Sequence, residues 1–165
     1  MKRVGRDFFK AVQIVMIAAA AVISAAAQTH NALASDPAPR SDKARLIGAW
    51  HLVSITGPDG KLVSRVPNGL LIYTLDGHMS VQLMYPKADS ALSNQYVQGG
   101  YEASFGSYDV DEANHIVTHH VQGSVTREQL VGKDLRRIYQ LTSNGRLIIR
   151  PAHPDEHWSV TWEHY

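Results

Sequence analysis

Short runs of alternating apolar and polar residues recur along the chain between residues 46 and 164. Within each run the apolar positions repeat every second residue, which is the side-chain period of a half-buried β-strand. Turn-forming residues separate the runs, among them Gly57-Pro58-Asp59-Gly60, Asp76-Gly77 and Ser143-Asn144-Gly145. The pattern predicts eight or nine strands, in the segments 46–56, 61–65, 69–74, 78–84, 102–110, 115–125, 134–141, 146–150 and 157–164.

So many short strands in one small domain predict an all-β fold, an antiparallel up-and-down β-barrel of 8–9 strands. Closure leaves no unprotected edge strand, and a barrel of about eight strands either fills with side chains or holds one small ligand. A sandwich of two sheets is the competing architecture. The longest segment between strands, residues 86–100, is expected to form a short helix or a lid over one mouth of the barrel.

The alternation also predicts which side chains point into the barrel. The predicted inward residues are Trp50, Leu52, Met79, Val81, Leu83, Val117, His119, Val121, Leu135, Arg137, Tyr139, Leu141, Trp158, Val160 and Trp162. Two of them, His119 and Arg137, are polar residues on otherwise apolar faces. They are therefore the first candidates for a specific role.

The N-terminal segment has the composition of an export signal. Residues 1–27 begin with four basic residues and continue into an apolar stretch that ends in three alanines. This pattern predicts a signal peptide that is cleaved after residue 27, with an alternative cleavage site after residue 34. A stretch of about 17 residues, mostly alanine, is short for a membrane anchor, and a twin-arginine signal would have an arginine in place of Gly5. We expect export by general secretion, to the periplasm or the medium.

The remaining composition predicts a short leader followed by one domain. Residues 28–44 contain two prolines and hardly any large apolar side chain, so they are expected to form a flexible leader. Residues 45–165 are numerous enough to bury a hydrophobic core. The chain has no cysteine, which excludes disulfides and thiol chemistry.

The charge balance argues against a nucleic-acid partner. The 165 residues carry 16 Lys and Arg against 15 Asp and Glu, a formal charge of +1. Loss of residues 1–27 would remove four basic residues and one acid, which leaves 12 against 14 and a formal charge of −2. Nucleic-acid binding needs a basic excess. We therefore expect no nucleic-acid partner. We also expect no stable membrane insertion after signal cleavage. Nothing in the sequence specifies the oligomeric state.

Several segments resemble a known family. Gly48-Ala49-Trp50 resembles the Gly-x-Trp opening of lipocalins, and most of residues 45–163 is similar to the bacterial and fungal lipocalin-like domain family of the calycin superfamily. The resemblance is carried by residues 71–82, 105–110, 117–124, 137–141 and 162–163. It implies a barrel with an internal cavity for a small, mostly apolar molecule, and no catalytic signature.

The same resemblance implies a structural closure of one barrel end. Gly48 opens the first strand, Trp50 plugs the closed end, and a late-strand arginine packs across the tryptophan ring. Arg137 is the candidate for that arginine, and a cation stacked on an indole is physically favourable. Where the family often ends in Trp-Glu-Arg, this chain has His164, which weakens any role for a terminal arginine.

Aromatic and polar side chains on different strands are candidates to line the cavity. The predicted ligand-binding residues are Tyr73, Gln82, Tyr101, Phe105, His119, Tyr139 and Trp158. Plain core packing is the alternative for several of them. His119, Gln82 and Tyr139 would supply the few polar anchors that a concave apolar pocket needs. The sequence thus favours an exported barrel that binds a small hydrophobic or amphipathic molecule, with no cofactor.

Two other functions stay open. In an isomerase or cyclase, His119 would be the catalytic residue, with Tyr139, Arg137 or Glu102 as its partner in proton transfer. In a periplasmic binder of divalent metal, the candidate ligands are His78, His119 and His120. A lone strand histidine is more often a hydrogen-bonded core residue than a metal ligand. The sequence also lacks the common motifs for catalysis, phosphate binding and dinucleotide binding.

Overall fold

The computed structural model describes residues 40–64, 68–85 and 93–165. The predicted signal peptide and most of the predicted leader lie outside these residues. A short helix, α1 (Asp42–Leu46), precedes the strands, and a 3₁₀ turn (Glu128–Leu130) lies between two of them. The strands are β1 (Gly48–Thr56), β2 (Leu62–Ser64), β3 (Asn68–Tyr73), β4 (His78–Met84), β5 (Tyr101–Asp111), β6 (Ile116–Ser124), β7 (Asp134–Leu141), β8 (Arg146–Pro151) and β9 (Ser159–His164).

The strands close into an antiparallel barrel. Eight of them follow one another around it in the order β1, β3, β4, β5, β6, β7, β8 and β9, and β9 pairs with β1 to complete the circle. The extra strand, β2, pairs with the end of β1, where Ile55 lies opposite Ser64. The predicted barrel is confirmed. The competing two-sheet sandwich is wrong, because the pairing of β1 with β9 leaves no open edge between them.

Tight turns at predicted positions join neighbouring strands. Asp76-Gly77 connects β3 to β4 and Asn144-Gly145 connects β7 to β8; the two glycines have φ angles of 88° and 80°. In the first of these turns the Thr74 hydroxyl donates to the Asp76 carboxylate and accepts from the backbone N–H of His78. A positive φ suits glycine because it has no Cβ. The turn chemistry in the sequence therefore sets where each hairpin reverses.

Helix α1 covers one end of the barrel. The Asp42 carboxylate accepts a hydrogen bond of 3.1 Å from the hydroxyl of Tyr139 on β7. The Nε1 atom of Trp50 on β1 donates to the backbone carbonyl of Leu46, at 2.9 Å. Residues 42–44, which the composition assigns to the flexible leader, belong to this helix instead. Their order has a physical cause, since the helix gives two buried aromatic side chains their hydrogen-bond acceptors.

The core is concentrated in the half of the barrel next to α1. The largest fully buried side chains are Trp50, Tyr73, Tyr139, Leu46, Leu71, Leu147 and Val117. All the inward residues predicted from the alternation are buried or half-buried, so the predicted strand faces are confirmed. No helix in the described part of the chain is long and apolar enough to cross a membrane.

Candidate functional site

A cavity of about 440 Å³ opens at the barrel end opposite α1. Its apolar and aromatic walls are formed by Ile55, Val63, Leu71, Val81, Leu83, Leu135, Ile149, Trp158, Val160 and Trp162. The polar strand residues among its lining are Thr56, Glu102, Ser104, His119 and Arg137. Loop residues 94–97 and 155–157 border the mouth. The barrel is therefore filled with side chains in one half and hollow in the other.

Arg137 lies in this cavity against two aromatic rings. Its Cζ atom is 4.8 Å from the ring centroid of Tyr96 and 4.9 Å from that of Trp158. The residue is only 6% exposed, and its Nη1 donates a long hydrogen bond of 3.4 Å to the Tyr96 hydroxyl. No Asp or Glu of the described residues forms an ion pair with it. Cation–π contacts thus hold the guanidinium in place without neutralising its charge.

The predicted stacking of Arg137 on Trp50 is wrong. Trp50 lies at the closed end and stacks on the ring of His164, with the ring centroids 3.6 Å apart. Arg137 points inward, as predicted. It lies two residues nearer to the open end of the barrel than Tyr139, so it contacts the aromatic residues of the mouth. Gly48 lies beneath His164 with a φ of 136°, and a Cβ at this position would come within 2.7 Å of the His164 Cε1. His164, and not Arg137, therefore lies over the tryptophan ring.

Glu156 connects the two rings that hold Arg137. The Tyr96 hydroxyl donates to Oε2 of Glu156 at 2.8 Å, and Nε1 of Trp158 donates to the same oxygen at 3.0 Å. The two donors orient both rings at the mouth. The sequence reasoning missed Tyr96 and Glu156. The only sequence signal for Tyr96 was its place in the loop predicted to cover a barrel mouth. Glu156 had no sequence signal, because it lies outside the alternating pattern of the strands.

The loop that carries Tyr96 is anchored to the barrel. The Arg127 side chain donates two hydrogen bonds to the backbone carbonyl of Val97, of 2.7 and 3.0 Å, and Val97 is buried. Residues 93–100 form bends and turns at the mouth. Residues 86–92, the rest of the predicted helix or lid, lie outside the described part. The described loop therefore forms part of the cavity wall.

His119 lies at the base of the cavity and pairs with Tyr73. The Tyr73 hydroxyl oxygen is 2.6 Å from the His119 Nε2, and both residues are buried. Burial lowers the pKa of His119 to about 3, and the charge of Arg137 adds to the effect. Burial likewise raises the pKa of the Tyr73 hydroxyl. Both groups are thus neutral near pH 7, and the phenol donates to Nε2 in the tautomer that has the imidazole proton on Nδ1.

These protonation states bear on the catalytic alternative. A general base works best when its pKa lies near the working pH, and that of His119 is far below it. Of the partners predicted for His119, Arg137 and Glu102 line the same cavity, whereas Tyr139 lies at the closed end. Burial raises the pKa of Glu102 to about 7, although the charge of Arg137 lowers it in part. Of these two cavity groups, Glu102 rather than His119 has a pKa near neutral pH.

The predicted ligand-binding residues separate into three groups. His119 and Trp158 line the cavity, and Tyr73 lies directly behind His119. Tyr139 is buried in the closed half, next to α1. The other three do not line the cavity and are exposed: Gln82, Tyr101 and Phe105.

The strand period explains why these three residues point away. Gln82 lies between Val81 and Leu83, which both line the cavity, and successive strand residues point to opposite faces. Phe105 follows Ser104, another lining residue, and is 51% exposed. Tyr101, 52% exposed, begins β5 next to Glu102, which does line the cavity. These three residues were predicted to bind a ligand because their side chains are aromatic or polar. The alternation along the strand predicts instead that they point outward, and it is correct.

The three histidines of the metal alternative are not brought together. His119 points inward, and His120 points outward from the same strand, with its ring nitrogens 2.7 Å from Asp134 and 3.0 Å from Asp109. His78 lies at the β3–β4 turn. Among residues 40–64, 68–85 and 93–165, no group of three His, Asp or Glu side chains could hold a metal ion.

Comparison with known proteins gives a family match and a likeness to solved structures. The sequence profile of the lipocalin-like domain family matches residues 47–164. Among solved structures, a redesigned β-barrel is similar with a TM-score of 0.45 and 13% sequence identity, covering 79% of this chain and 99% of its own. No curated protein matches the sequence.

Proposed function

The chain belongs to the lipocalin-like domain family, and on this premise we propose that it binds a small hydrophobic or amphipathic molecule inside its barrel. The observation that carries the proposal is the cavity of about 440 Å³ with apolar walls and a few polar groups. Small-molecule sites are typically concave, mostly apolar and ~300–1,000 Å³ in volume. The cavity lies at the end of the barrel that the core leaves hollow, where a ligand can enter between the loops.

Binding without chemical change is the form of this function that the cavity chemistry favours. His119, the catalytic candidate, has its pKa lowered to about 3 by burial and pairs with Tyr73. A neutral, hydrogen-bonded histidine serves as a polar anchor for a ligand rather than as a base near neutral pH. Arg137, held against its two rings, is a second anchor.

A neutral fluorescent probe tests the proposal. N-phenyl-1-naphthylamine brightens in apolar surroundings, and we expect saturable binding of one molecule per chain. Ser104 is buried and lines the cavity, so Ser104→Phe should fill the site and abolish binding. Ser107 lies half-buried on the other face of the same strand, so Ser107→Phe should bind as the wild type does. Thermal melting confirms that both variants are folded. Absence of binding in the wild type, or equal binding by the two variants, would contradict the proposal.

We further propose that the protein is exported, to the periplasm or the medium, on the basis of residues 1–27. An apolar ligand is poorly soluble in such aqueous compartments, which gives a carrier barrel a purpose there. Mass spectrometry of the protein from its own host should find a mature N-terminus at Gln28 or Ser35. Recovery from the cytoplasm with residues 1–27 still attached would contradict export.

A further inference from the structure

Arg137 is a buried cation in a cavity whose walls are mostly apolar. A guanidinium has five N–H donors, and the described residues supply a single, long hydrogen bond, to the Tyr96 hydroxyl. The rings of Tyr96 and Trp158 stabilise its charge, but none of the described carboxylates pairs with it. Buried charges are normally paired or bound to a ligand. Within the described part of the chain, Arg137 therefore lacks the partner that its position requires.

Two further donors in the same cavity are unmatched. Trp162 is 2% exposed, and its Nε1 has no hydrogen-bond partner in the described structure. An indole N–H can only donate. His119, protonated on Nδ1 when Tyr73 donates to Nε2, offers another N–H that finds no acceptor among the described residues. Arg137, Trp162 and His119 thus each carry an N–H donor for which the described residues supply no close acceptor.

The described carboxylates around the cavity do not supply the acceptor that Arg137 lacks. Glu156 accepts from Tyr96 and Trp158, which leaves it bound to the rings rather than to the guanidinium. Glu102 lines the cavity but forms no ion pair with Arg137 within the described residues. Within the described residues no carboxylate pairs with the guanidinium, so a ligand that brings an acceptor would complete the site.

We propose that the barrel binds amphipathic molecules that carry an acid group, which pairs with Arg137 while the apolar part fills the cavity. The inference rests on the proposed function and narrows its ligand class. The planar fork of a guanidinium accepts a carboxylate or sulfonate through two parallel hydrogen bonds, and such charge-assisted bonds are the strong ones. His119, which lines the same cavity, can donate to a further oxygen atom of the molecule.

The test compares two probes that differ by one group. 8-Anilinonaphthalene-1-sulfonate has the ring system of N-phenyl-1-naphthylamine plus a sulfonate. The wild type should bind the sulfonate at least about tenfold more tightly than the neutral probe, as expected for a charge-assisted hydrogen bond. Arg137→Met should weaken sulfonate binding at least about tenfold and change neutral-probe binding by less than about twofold. Ser104→Phe should abolish binding of both probes.

A matched control and a second measurement keep the outcome clear. Arg136 is exposed on the outer face of the same strand, so Arg136→Met removes the same charge and should leave both affinities unchanged. If Arg137→Met does not fold, Arg137→Lys replaces it in the test, because it keeps a buried cation. Arg137→Lys should keep part of the preference for the sulfonate over the neutral probe. In the wild type, decanoate should displace the neutral probe at lower concentration than decanol, which extends the result to carboxylates.

The possible results separate the inference from the proposed function. If the neutral probe binds in the cavity but the sulfonate binds no better, or if Arg137→Met leaves the preference intact, the inference is overturned and the proposed function stands. If the wild type binds neither probe, both are overturned. If Arg136→Met reduces the preference as much as Arg137→Met, the effect is one of overall charge and the inference also fails.

Discussion

The Tyr73 hydroxyl oxygen lies 2.6 Å from the Nε2 of His119, and this hydrogen bond marks the boundary between the filled and hollow halves of the barrel. Tyr73 packs in the core against Tyr108, with ring centroids 4.7 Å apart, whereas His119 lines the cavity. Each residue satisfies the other's buried polar atom. A polar floor can therefore close the cavity without an unpaired group on the core side.

Loss of this hydrogen bond should lower stability. Tyr73→Phe leaves the buried Nε2 of His119 without a donor, and we expect the free energy of unfolding to fall by about 1–3 kcal/mol. Urea denaturation measures the change. In the double variant Tyr73→Phe/His119→Leu both partners are gone, so its loss should be smaller than the sum of the two single losses. Strict additivity would show that the contact does not couple the two residues.

Glu102 should make the protein less stable as the pH rises. Burial raises its pKa from 4.5 to about 7, so the folded chain holds this proton more tightly than the unfolded chain. The resulting stabilisation is fully present below pH 4.5 and is lost as the pH rises through about 7. Glu102→Gln should remove this part of the pH dependence, and Glu128→Gln, at an exposed position, should retain it. Parallel stability curves for the wild type and Glu102→Gln, from urea unfolding across this range, would contradict the expectation.

Ionisation of Glu102 should also weaken the binding of an acidic ligand, because a second negative charge then shares the cavity with Arg137. The other titratable groups that line the cavity are Tyr85, Tyr96, His119, Asp155, Glu156 and His157. Burial holds the pKa of Tyr85 at about 12 and that of His119 at about 3, so neither changes charge near neutrality.

Fluorescence titration of the sulfonate probe at a series of pH values measures this effect. Its affinity should fall several-fold as the pH rises through about 7. Glu102→Gln should remove that fall, while any contribution from the remaining groups at the mouth should persist in the variant. An identical slope in the two proteins would assign the pH dependence to a residue other than Glu102.

The closed end should be sensitive to any side chain at residue 48. Gly48 has a φ of 136°, and an added Cβ would lie 2.7 Å from the His164 Cε1, so we expect Gly48→Ala to cost about 1–3 kcal/mol of unfolding free energy. Gly145 has a φ of 80° with nothing within 4 Å of an added Cβ, and Gly145→Ala should cost less, about 1 kcal/mol. Thermal denaturation ranks the two variants. Adding His164→Ala to Gly48→Ala should restore stability only in part, because the backbone strain remains; full recovery would show that the clash was the whole cost.

The strands and their inward faces could be predicted from the sequence because both depend on a local period. A repeat of two, broken by Asp-Gly and Asn-Gly turns, specifies where a strand runs and which side chains share a face. His119 and Arg137 were identified in this way as polar residues inside an apolar barrel, and both are buried. The prediction that Gln82 and Phe105 line the cavity went against the same period, and both residues are exposed.

Only the tertiary structure decided which inward residues meet. Alternation assigns a side chain to a face but not to a depth along the barrel, which depends on the stagger of the strands as they close. Arg137 and Trp50 both point inward, yet they lie in opposite halves, and the rings against Arg137 are those of Tyr96 and Trp158. Tyr96 and Glu156 belong to loops without any period, and they reach the cavity only because closure brings the loops at one end together. The sequence by itself determined a barrel with two buried polar residues. The closure of the barrel placed one of them, the cation Arg137, against the aromatic rings at the mouth of a cavity.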